Sequence, residues 1–380
     1  MTIKTRVLFV SSTSFTPDPR AEKQMNVLND NGATVSALGW DRGKSQSYVK
    51  HEGNITFHEI GIKSGFGTGI HNLWPMIKWQ FQLIKKLLQI GKNIDVIQAV
   101  NLDSALACIL YAKIFSKKFV YDIYDYYADS FPIPHKLKNF VRSIETKIIN
   151  NSDLVFLPID SRIQQIQPAK PRHLKIIYNT PEDTQIIKNK FNDNYKNGKL
   201  NISYVGIIQE NRFLNQLVNL ANNRDDIFLH IGGFGDNTII EQMKKSKNIE
   251  YYGKLNYKDS LNVSSLGDIM VAMYNPTVTN HKFSAPNKLF ESMMLSKPVI
   301  IGEGMGLDKF INKYDIGYLC PYSQKAFNLL IDRLLTKPRI DLINKGKVGR
   351  ELYEKKYKWE VIQKKVLEGY IDILGGKGEQ

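Results

Sequence analysis

Short apolar runs alternate with longer polar or amphipathic stretches along the whole chain. Runs rich in β-branched residues and separated by amphipathic segments are typical of parallel sheets covered by helices. We therefore predict an α/β fold. The predicted strands are residues 6–11, 55–60, 95–100, 119–123, 154–158 and 176–178 in the first half, and 202–207, 228–231, 249–252, 269–273 and 299–301 in the second.

The strand pattern is interrupted once, by a polar segment rich in Asn and Lys at residues 179–199. Such a composition favours a linker. Two successive α/β units of similar length predict two doubly wound, Rossmann-like domains that face a cleft, with ligands beyond the carboxyl ends of the strands. We place the domains at residues 1–180 and 181–355. Residues 356–380 carry apolar positions at helical spacing and predict a final amphipathic helix.

Composition narrows the classes of partner. The 380 residues suffice for two domains, and 52 Lys and Arg against 37 Asp and Glu give a net charge of +15. Anionic partners are expected from this balance, whether phosphates, nucleic acid or an acidic membrane surface. Cys108 and Cys320 lie too far apart in sequence to indicate a disulfide framework or a zinc site. Without a signal peptide or a membrane-spanning run, the sequence predicts a cytoplasmic protein.

The segment FSAPNKLFESMMLSKPVIIGEGMG, residues 283–306, combines a short helix, an apolar strand and a glycine-rich turn. Ser284 is a candidate N-cap, and Pro286 suits the first helical turn. Lys288 and Glu291, three residues apart, are predicted to lie opposite the buried face. A Lys beside free backbone amides suits a phosphate, and a carboxylate one turn later suits sugar hydroxyls. The alternative is an ordinary surface Lys–Glu pair.

The segment SAPNKLFESMMLSKPVI resembles the nucleotide-sugar loop and helix of the GT-B glycosyltransferases, especially the retaining group 1 family of bacterial polysaccharide biosynthesis. Other pieces resemble that family in the same order along the chain: DPRAEKQMNVLNDNGATVSAL and FVYDIYDYYAD in the first domain, YVGIIQENR, LHIGGFGD, IEYYGKL and LGDIMVAMYNP in the second. The resemblance implies that the terminal helix crosses back onto the first domain.

The resemblance also implies roles in donor binding. The family typically has two Glu residues in a Glu-x7-Glu segment. Glu291 matches the second of them, which binds the donor ribose, and Phe283 stands at the position of the first. The diphosphate would be held by Lys288 and the backbone around its helix start. The remaining implied donor residues are Ser284, Ala285, Pro286, Asn287, Gly206, Arg212, Tyr252, Gly253 and Lys254, the last three near the base. For Arg212 a solvated loop position, and for Tyr252 a core position, remain open as alternatives.

In the first domain, Tyr124 stands where many relatives have a His near the reacting sugar. Asp122 and Asp125 are the candidates to orient or deprotonate the acceptor; the alternative is that Asp122 ends a strand and Asp125 caps the next helix. Arg20 and Asp18 are expected on the acceptor side. No Asp-x-Asp pair or HExxH motif occurs, so we expect no metal and no cofactor.

The helix predicted around residues 72–92 mixes Trp, Phe and paired Lys. Such a helix suits peripheral contact with an anionic membrane, although part of it must face the core. Lipid-diphosphate-linked acceptors are common among the resembling enzymes, which agrees with that location.

Taken together, we predict a metal-independent, retaining hexosyltransferase. The donor would be a nucleoside-diphosphate sugar, UDP-sugar before GDP-sugar, and the acceptor a glycan or lipid-linked glycan of a surface polysaccharide. The alternatives are a sugar-nucleotide epimerase of the same fold, a non-catalytic partner subunit suggested by Phe283 and Tyr124, and a nucleic-acid-binding protein. No nucleic-acid-binding motif supports the last of these, and we expect no nucleic acid.

Overall fold

The structure is a computed structural model, and it describes residues 3–65, 73–130, 135–184, 191, 194–284 and 286–375. The chain divides into two compact units. The first comprises Met1–Tyr178 with Ile362–Gln380, and the second comprises Asn179–Val361. Within the described residues, no helix is long and apolar enough to cross a bilayer.

The first unit contains one eight-stranded sheet covered by helices. Its strands are β1 (Arg6–Val10), β2 (Thr34–Asp41), β3 (Tyr48–Glu52), β4 (Ile55–Gly61), β5 (Val96–Val100), β6 (Lys118–Asp122), β7 (Leu154–Leu157) and β8 (Leu174–Ile176). The sheet order is β3-β4-β2-β1-β5-β6-β7-β8. All neighbours pair in parallel except β3 and β4, which are antiparallel.

The helices of this unit fill the crossovers between strands. They are α1 (Pro19–Asp30), α2 (Leu73–Ile90), α3 (Leu102–Ile114), α4 (Tyr127–Ser130), α5 (His135–Asn151) and α6 (Arg162–Gln165). Strands β5 and β7 are buried along their whole length, which explains why their sequences are mainly apolar rather than alternating, with Gln98 as the polar position of β5.

The second unit contains a six-stranded sheet, parallel throughout. Its strands are β9 (Leu200–Ile208), β10 (Ile227–Gly235), β11 (Ile249–Tyr251), β12 (Ile269–Ala272), β13 (Val299–Gly302) and β14 (Gly317–Cys320), in the order β11-β10-β9-β12-β13-β14. Its helices are α7 (Leu214–Asn222), α8 (Asn237–Lys245), α9 (Tyr257–Ser265), α10 (Asn287–Met294), α11 (Asp308–Tyr314), α12 (Gln324–Thr336) and α13 (Arg339–Leu352).

The last helix, α14 (Trp359–Leu374), follows a π-helical turn at Tyr353–Tyr357. From Ile362 onward it is part of the first unit. Its predicted apolar stripe is buried: the side chains of Trp359, Ile362, Val366, Tyr370 and Ile373 are all at most 6% exposed. Tyr370 packs beside Phe156 of β7 and donates a hydrogen bond to Gln98 of β5.

The strand order reverses direction once in each sheet. In the second unit the reversal lies between β9 and β12, because the chain adds β10 and β11 on one side of β9 and β12 to β14 on the other. Helices on the two sides leave a crevice at the carboxyl ends of the strands where such a reversal occurs. Residues just after β9 and β12 are therefore the first place to look for a ligand site.

Candidate functional site

Glycines let β10 run close beside β9 at the carboxyl ends of these two strands. Gly233 is paired with Gly206, and a Cβ on Gly233 would lie 1.8 Å from the Gly206 carbonyl oxygen. The backbone φ of Gly233 is +141°, which other residues rarely adopt. The GGFG segment is thus the end of strand β10.

Lys288 lies over the end of β9. It is the second residue of α10, and its side chain reaches back so that the ammonium lies 4.6 Å from the centroid of the Tyr204 ring. A Cβ on Gly206 would come within 2.8 Å of the Lys288 Nζ atom. Lys288 is only 9% exposed. Our prediction that Lys288 lies away from the buried face is therefore wrong: the lysine is buried against the strand, and Gly206 leaves room for it.

Arg212 supplies a second cation beside the first. It ends the short 3-10 turn Glu210–Arg212 after β9, and its guanidinium carbon lies 3.8 Å from the centroid of the Tyr274 ring, just beyond β12. The Nε atom of Arg212 is buried and has no hydrogen-bond partner among the described residues. Arg212 and Lys288 are near enough that the charge of Arg212 lowers the pKa of Lys288.

The electrostatics of Lys288 favour the charged form. Burial lowers the pKa of its ammonium, but the neighbouring Tyr274, Tyr204 and Glu291 together raise it, and the net pKa is raised. Among the residues that the structure describes, no carboxylate forms a salt bridge with Lys288 or Arg212, and no acceptor takes a hydrogen bond from the Lys288 ammonium. Two neighbouring cations without a salt-bridged carboxylate are an arrangement suited to an anion with several oxygens.

The start of α10 differs from the predicted capping. Pro286 occupies the N-cap position, without a side-chain cap. Ser284 does not cap the helix, since its hydroxyl lies 3.4 Å from the carbonyl of Asn280. The side-chain oxygen of Asn287 accepts a hydrogen bond from Asn179. Ala285 lies outside the described residues.

Glu291 follows Lys288 by one turn and is half-buried. Its carboxylate is hydrogen-bonded to the hydroxyl of Tyr257 at the start of α9, and partial burial together with this carboxylate raises the pKa of Tyr257. The negative charge of Glu291 also raises the pKa of Lys288, so the two side chains share one neighbourhood. The structure therefore brings Glu291, Lys288, Arg212 and Gly206 together.

Tyr252, Gly253 and Lys254 lie on the β10 side of this neighbourhood. The Gly253 carbonyl accepts a hydrogen bond of 2.7 Å from the backbone of Gly233, and the Lys254 ammonium lies 5.2 Å from the ring of Phe234. The Tyr252 hydroxyl is 2.9 Å from Nδ1 of His230. Because burial lowers the pKa of His230 to about 4, that imidazole is neutral near pH 7 and the contact is a hydrogen bond between neutral groups. Contact of Tyr252, Gly253 and Lys254 with the nucleobase of the donor stays a prediction.

In the first unit, Asp122 occupies a closed polar network. The carboxylate is fully buried; one oxygen accepts from Arg20 at 2.8 Å and the other from Gln24 at 2.8 Å. Gln98 contacts the second oxygen at 3.4 Å and is itself bonded to Tyr370. This geometry does not fit Asp122 as a base acting on a substrate, and it corrects that prediction: Asp122 holds the buried Arg20 in place.

Arg20, Tyr124 and Asp18 form a chain of contacts beside this network. Arg20 also donates to the carbonyl of Ile177 and lies 5.1 Å from the centroid of the Tyr124 ring. The Tyr124 hydroxyl donates to Asp18 at 3.3 Å, and Asp18 caps α1 through the amide of Ala21. Burial raises the pKa of Asp18. The structure brings these three residues together and buries Arg20; their roles on the acceptor side stay predictions.

Asp125 is the exposed carboxylate of the predicted set. It forms a salt bridge of 3.0 Å with the buried Arg162. The loop that carries Asp125 is fixed by Asn101, whose side-chain oxygen accepts from the backbone amides of Tyr124 and Asp125. Asn101 has φ +57° at the end of β5, a conformation that Asn tolerates better than most residues.

Three residues of the second-unit site are not indicated by the sequence analysis, namely Tyr204, Tyr274 and Tyr257. A signal exists for the first of them, because Tyr204 precedes Gly206 by two positions on a strand and so shares its face. Tyr274 and Tyr257 come from segments remote in sequence, and only the sheet order brings them close. No group of three or more candidate metal ligands occurs among the residues in the described ranges.

Comparison with solved structures defines the fold class. Sucrose-phosphate synthase from Thermosynechococcus elongatus is 13% identical, with 98% of this chain and 100% of that chain covered and a TM-score of 0.77. An E. coli structure described as trehalose-6-phosphate bound with UDP-2-fluoro glucose is 12% identical, at 95% and 98% coverage and a TM-score of 0.71. Anabaena HepE in complex with UDP and glucose is 13% identical, at 96% and 98% coverage and a TM-score of 0.71. The predicted GT-B fold is confirmed.

The sequence comparison then identifies the class of enzyme. Residues 185–355, most of the second unit, match the family model described as Glycosyl transferases group 1. The chain is a glycosyltransferase of the GT-B fold, and most of its second unit is similar to the group 1 glycosyltransferases. No curated protein sequence matches the chain significantly.

Proposed function

We propose that this glycosyltransferase moves a hexose from a nucleoside-diphosphate sugar to a glycan or lipid-linked glycan during surface polysaccharide biosynthesis. A UDP-sugar is the favoured donor and a GDP-sugar the second choice. The observation that carries the donor proposal is the pair of cations, Lys288 and Arg212, which share one neighbourhood at the strand-order reversal, where neither forms a salt bridge with a carboxylate among the described residues.

The two cations would act on the diphosphate. Lys288 offers an ammonium and Arg212 a guanidinium, and both are held by aromatic rings that leave their N–H groups available. Charge-assisted hydrogen bonds to phosphate oxygens are about twice as strong as neutral ones. The negative charge on the phosphate grows as the bond to the sugar breaks, so the same contacts stabilise the transition state more than the bound donor. This role does not require a metal ion.

Glu291 would bind the ribose. Its carboxylate can accept hydrogen bonds from two neighbouring hydroxyls, and the hydrogen bond from Tyr257 orients it. In the first unit, the exposed Asp125 and the hydroxyl of Tyr124 are the groups that we propose for the acceptor. Retention of configuration follows if the departing phosphate accepts the acceptor proton on the same face of the sugar.

Two of the solved structures of this fold support a UDP-sugar as donor, since one is described with UDP and glucose and the other with UDP-2-fluoro glucose. The protein should therefore be titrated with UDP, GDP, ADP and CMP and with their sugars, in the presence of a chelator. Stabilisation by one nucleoside diphosphate, together with acceptor-dependent release of that nucleotide from its sugar, is the expected result.

Other results would point to the alternatives. Isomerisation of the sugar nucleotide without acceptor would identify an epimerase. Tight nucleotide binding with no turnover on any acceptor extract would favour a non-catalytic partner. Inversion at the anomeric carbon, read by NMR of the product, would overturn the mechanism and leave the donor proposal intact.

A further inference from the structure

Two neighbouring helices of the first unit, α2 and α3, expose a row of large apolar side chains to solvent. Trp74 is 75% exposed, Phe81 71% and Ile114 73%. Of the 24 large apolar side chains described as exposed in the chain, ten lie on these two helices or at the residue that ends α3. We call them the α2–α3 face: Leu73, Trp74, Ile77, Phe81, Ile84 and Leu88 with Leu106, Leu110, Ile114 and Phe115.

This exposure is not the ordinary apolar stripe of a helix that packs on a sheet. That stripe is present on the opposite side of α2, where Trp79, Leu83 and Leu87 are completely buried. Phe81, Ile84 and Leu88 repeat at three and four residues and so form a second stripe. Helix α2 is therefore apolar on two faces, and only one of them is used by the core.

Helices α2 and α3 form one continuous surface because they are held together at the first turn of α3. Trp79 and Gln80 of α2 both donate hydrogen bonds to the carbonyl of Asp103. The exposed residues of α3 recur every four positions, at Leu106, Leu110 and Ile114, and line up along that helix. Contiguous exposed apolar patches of this kind are uncommon on monomeric soluble proteins and mark interaction surfaces.

The charges around the α2–α3 face are positive. Helix α2 contains Lys78, Lys85 and Lys86 and no acidic residue, and the segment after α3 adds Lys117. Lys78 and Lys85 are exposed. Among the acidic residues nearby, the carboxylate of Asp103 accepts from Ser12 under the surface, where burial raises its pKa. The face therefore presents aromatic and aliphatic side chains bordered by lysines.

From the charge and the apolar stripe together, we propose that the α2–α3 face docks on a bilayer that contains anionic phospholipid. Lysines bordering an apolar helical face complement the negative surface of such a bilayer, while Trp and Phe are suited to the headgroup region. An aromatic and aliphatic centre with a charged rim also occurs at protein–protein interfaces, so self-association is the competing outcome that the experiment below distinguishes. The inference goes beyond the donor chemistry and does not depend on it, since it concerns neither Lys288 nor Arg212.

Trp74 provides a direct report of docking. The chain contains four Trp residues, and the other three, Trp40, Trp79 and Trp359, are at most 6% exposed. Vesicles of phosphatidylcholine with phosphatidylglycerol should shift the fluorescence emission of the protein to shorter wavelength, and brominated acyl chains should quench it. Vesicles of phosphatidylcholine alone should produce little change. The Trp74→Phe variant should still sediment with anionic vesicles but lose the emission shift.

A matched pair of variants tests the surface itself. Phe81→Glu with Leu88→Glu places two charges on the face, whereas Leu329→Glu with Ile343→Glu places them at similarly exposed apolar positions of the second unit. We expect the first pair to lower vesicle partitioning by about tenfold or more. The second pair should partition like the wild type, and both pairs should keep the wild-type response to UDP.

Four results would overturn the proposal. The wild type could fail to sediment with anionic vesicles, it could bind them without any change in the emission of Trp74, or the two variant pairs could lose binding equally. A dimer seen by light scattering of the wild type and lost only in the Phe81→Glu, Leu88→Glu pair would assign the face to self-association instead.

Discussion

Replacing Lys288 by Met removes a buried cation while keeping most of its volume and its contact with the Tyr204 ring. In the ligand-free protein the ammonium has a cation–π contact at 4.6 Å and no hydrogen-bond acceptor among the described residues. A desolvated cation–π contact contributes about 2 kcal/mol, whereas burial of an ammonium without a salt-bridged carboxylate costs several kcal/mol. We therefore expect the free energy of unfolding of Lys288→Met to be no lower than that of the wild type.

Binding of the diphosphate, in contrast, should weaken. A hydrogen bond to a charged group contributes about 1.5–3 kcal/mol. If Lys288 makes two such bonds to phosphate oxygens, its loss costs at least about 3 kcal/mol, or a factor of about 150 in the dissociation constant of UDP. Calorimetric titration with UDP measures this factor, and urea unfolding of the same samples without ligand measures stability.

Lys313→Met is the matched control, because the Lys313 ammonium also lies over a tyrosine ring, at 5.2 Å from that of Tyr314, but at an exposed position. The Lys313→Met variant should change neither the dissociation constant of UDP nor the free energy of unfolding. The reasoning would be refuted if Lys288→Met unfolded several kcal/mol more easily than the wild type while it bound UDP normally, since Lys288 would then be a structural residue.

Three further predictions concern other residues. Glu291→Ala should weaken UDP binding by about tenfold and leave inorganic pyrophosphate binding unchanged, because the carboxylate is proposed to bind the ribose; equal losses for both ligands would contradict that role. Asp122→Asn leaves the buried Arg20 without its ion pair and should lower the free energy of unfolding by about 3–5 kcal/mol, measured by urea denaturation; a stable variant lacking only turnover would restore Asp122 as a catalytic candidate. Burial raises the pKa of Glu145 to about 7 from an ordinary 4.5, so between these pH values the folded protein binds more protons than the unfolded chain. The free energy of unfolding therefore falls as the pH rises, by at most about 1.4 kcal/mol for each pH unit. Glu145→Gln should flatten this fall and be the more stable protein at pH 8, as measured by urea denaturation across the pH range; an unchanged pH profile would refute it.

Much of the architecture follows from local sequence pattern. Strands β7 and β13 are apolar runs and β5 is interrupted only by Gln98, so all three are predicted as buried strands. The apolar spacing of α14 is unambiguous, and every position of that apolar stripe is buried. The sequence pattern does not predict β2, β3 and β14. Strand β3 is an exposed edge strand without an apolar run, and β14 includes a Gly, so neither carries a strong strand signal.

The site is harder to predict because it depends on long-range packing. The sequence indicates Lys288 and Glu291 through their spacing, but it places Lys288 on the wrong face, since the room for its side chain comes from Gly206 on another strand. The wrong assignment of Asp122 has a similar reason. Its partners Arg20, Gln24 and Gln98 come from two other elements, and no local pattern shows that they will close around it.

The central claim is that Lys288 and Arg212 bind the diphosphate of a nucleotide-sugar donor. The most direct test compares the affinities of the wild type for UDP and for uridine in the presence of a chelator, and repeats the comparison with Lys288→Met combined with Arg212→Met. We expect UDP to bind the wild type at least about a hundredfold more tightly than uridine, and the double variant to bind both about equally. Equal affinities in the wild type, or a preference for UDP that survives in the double variant, would contradict the account.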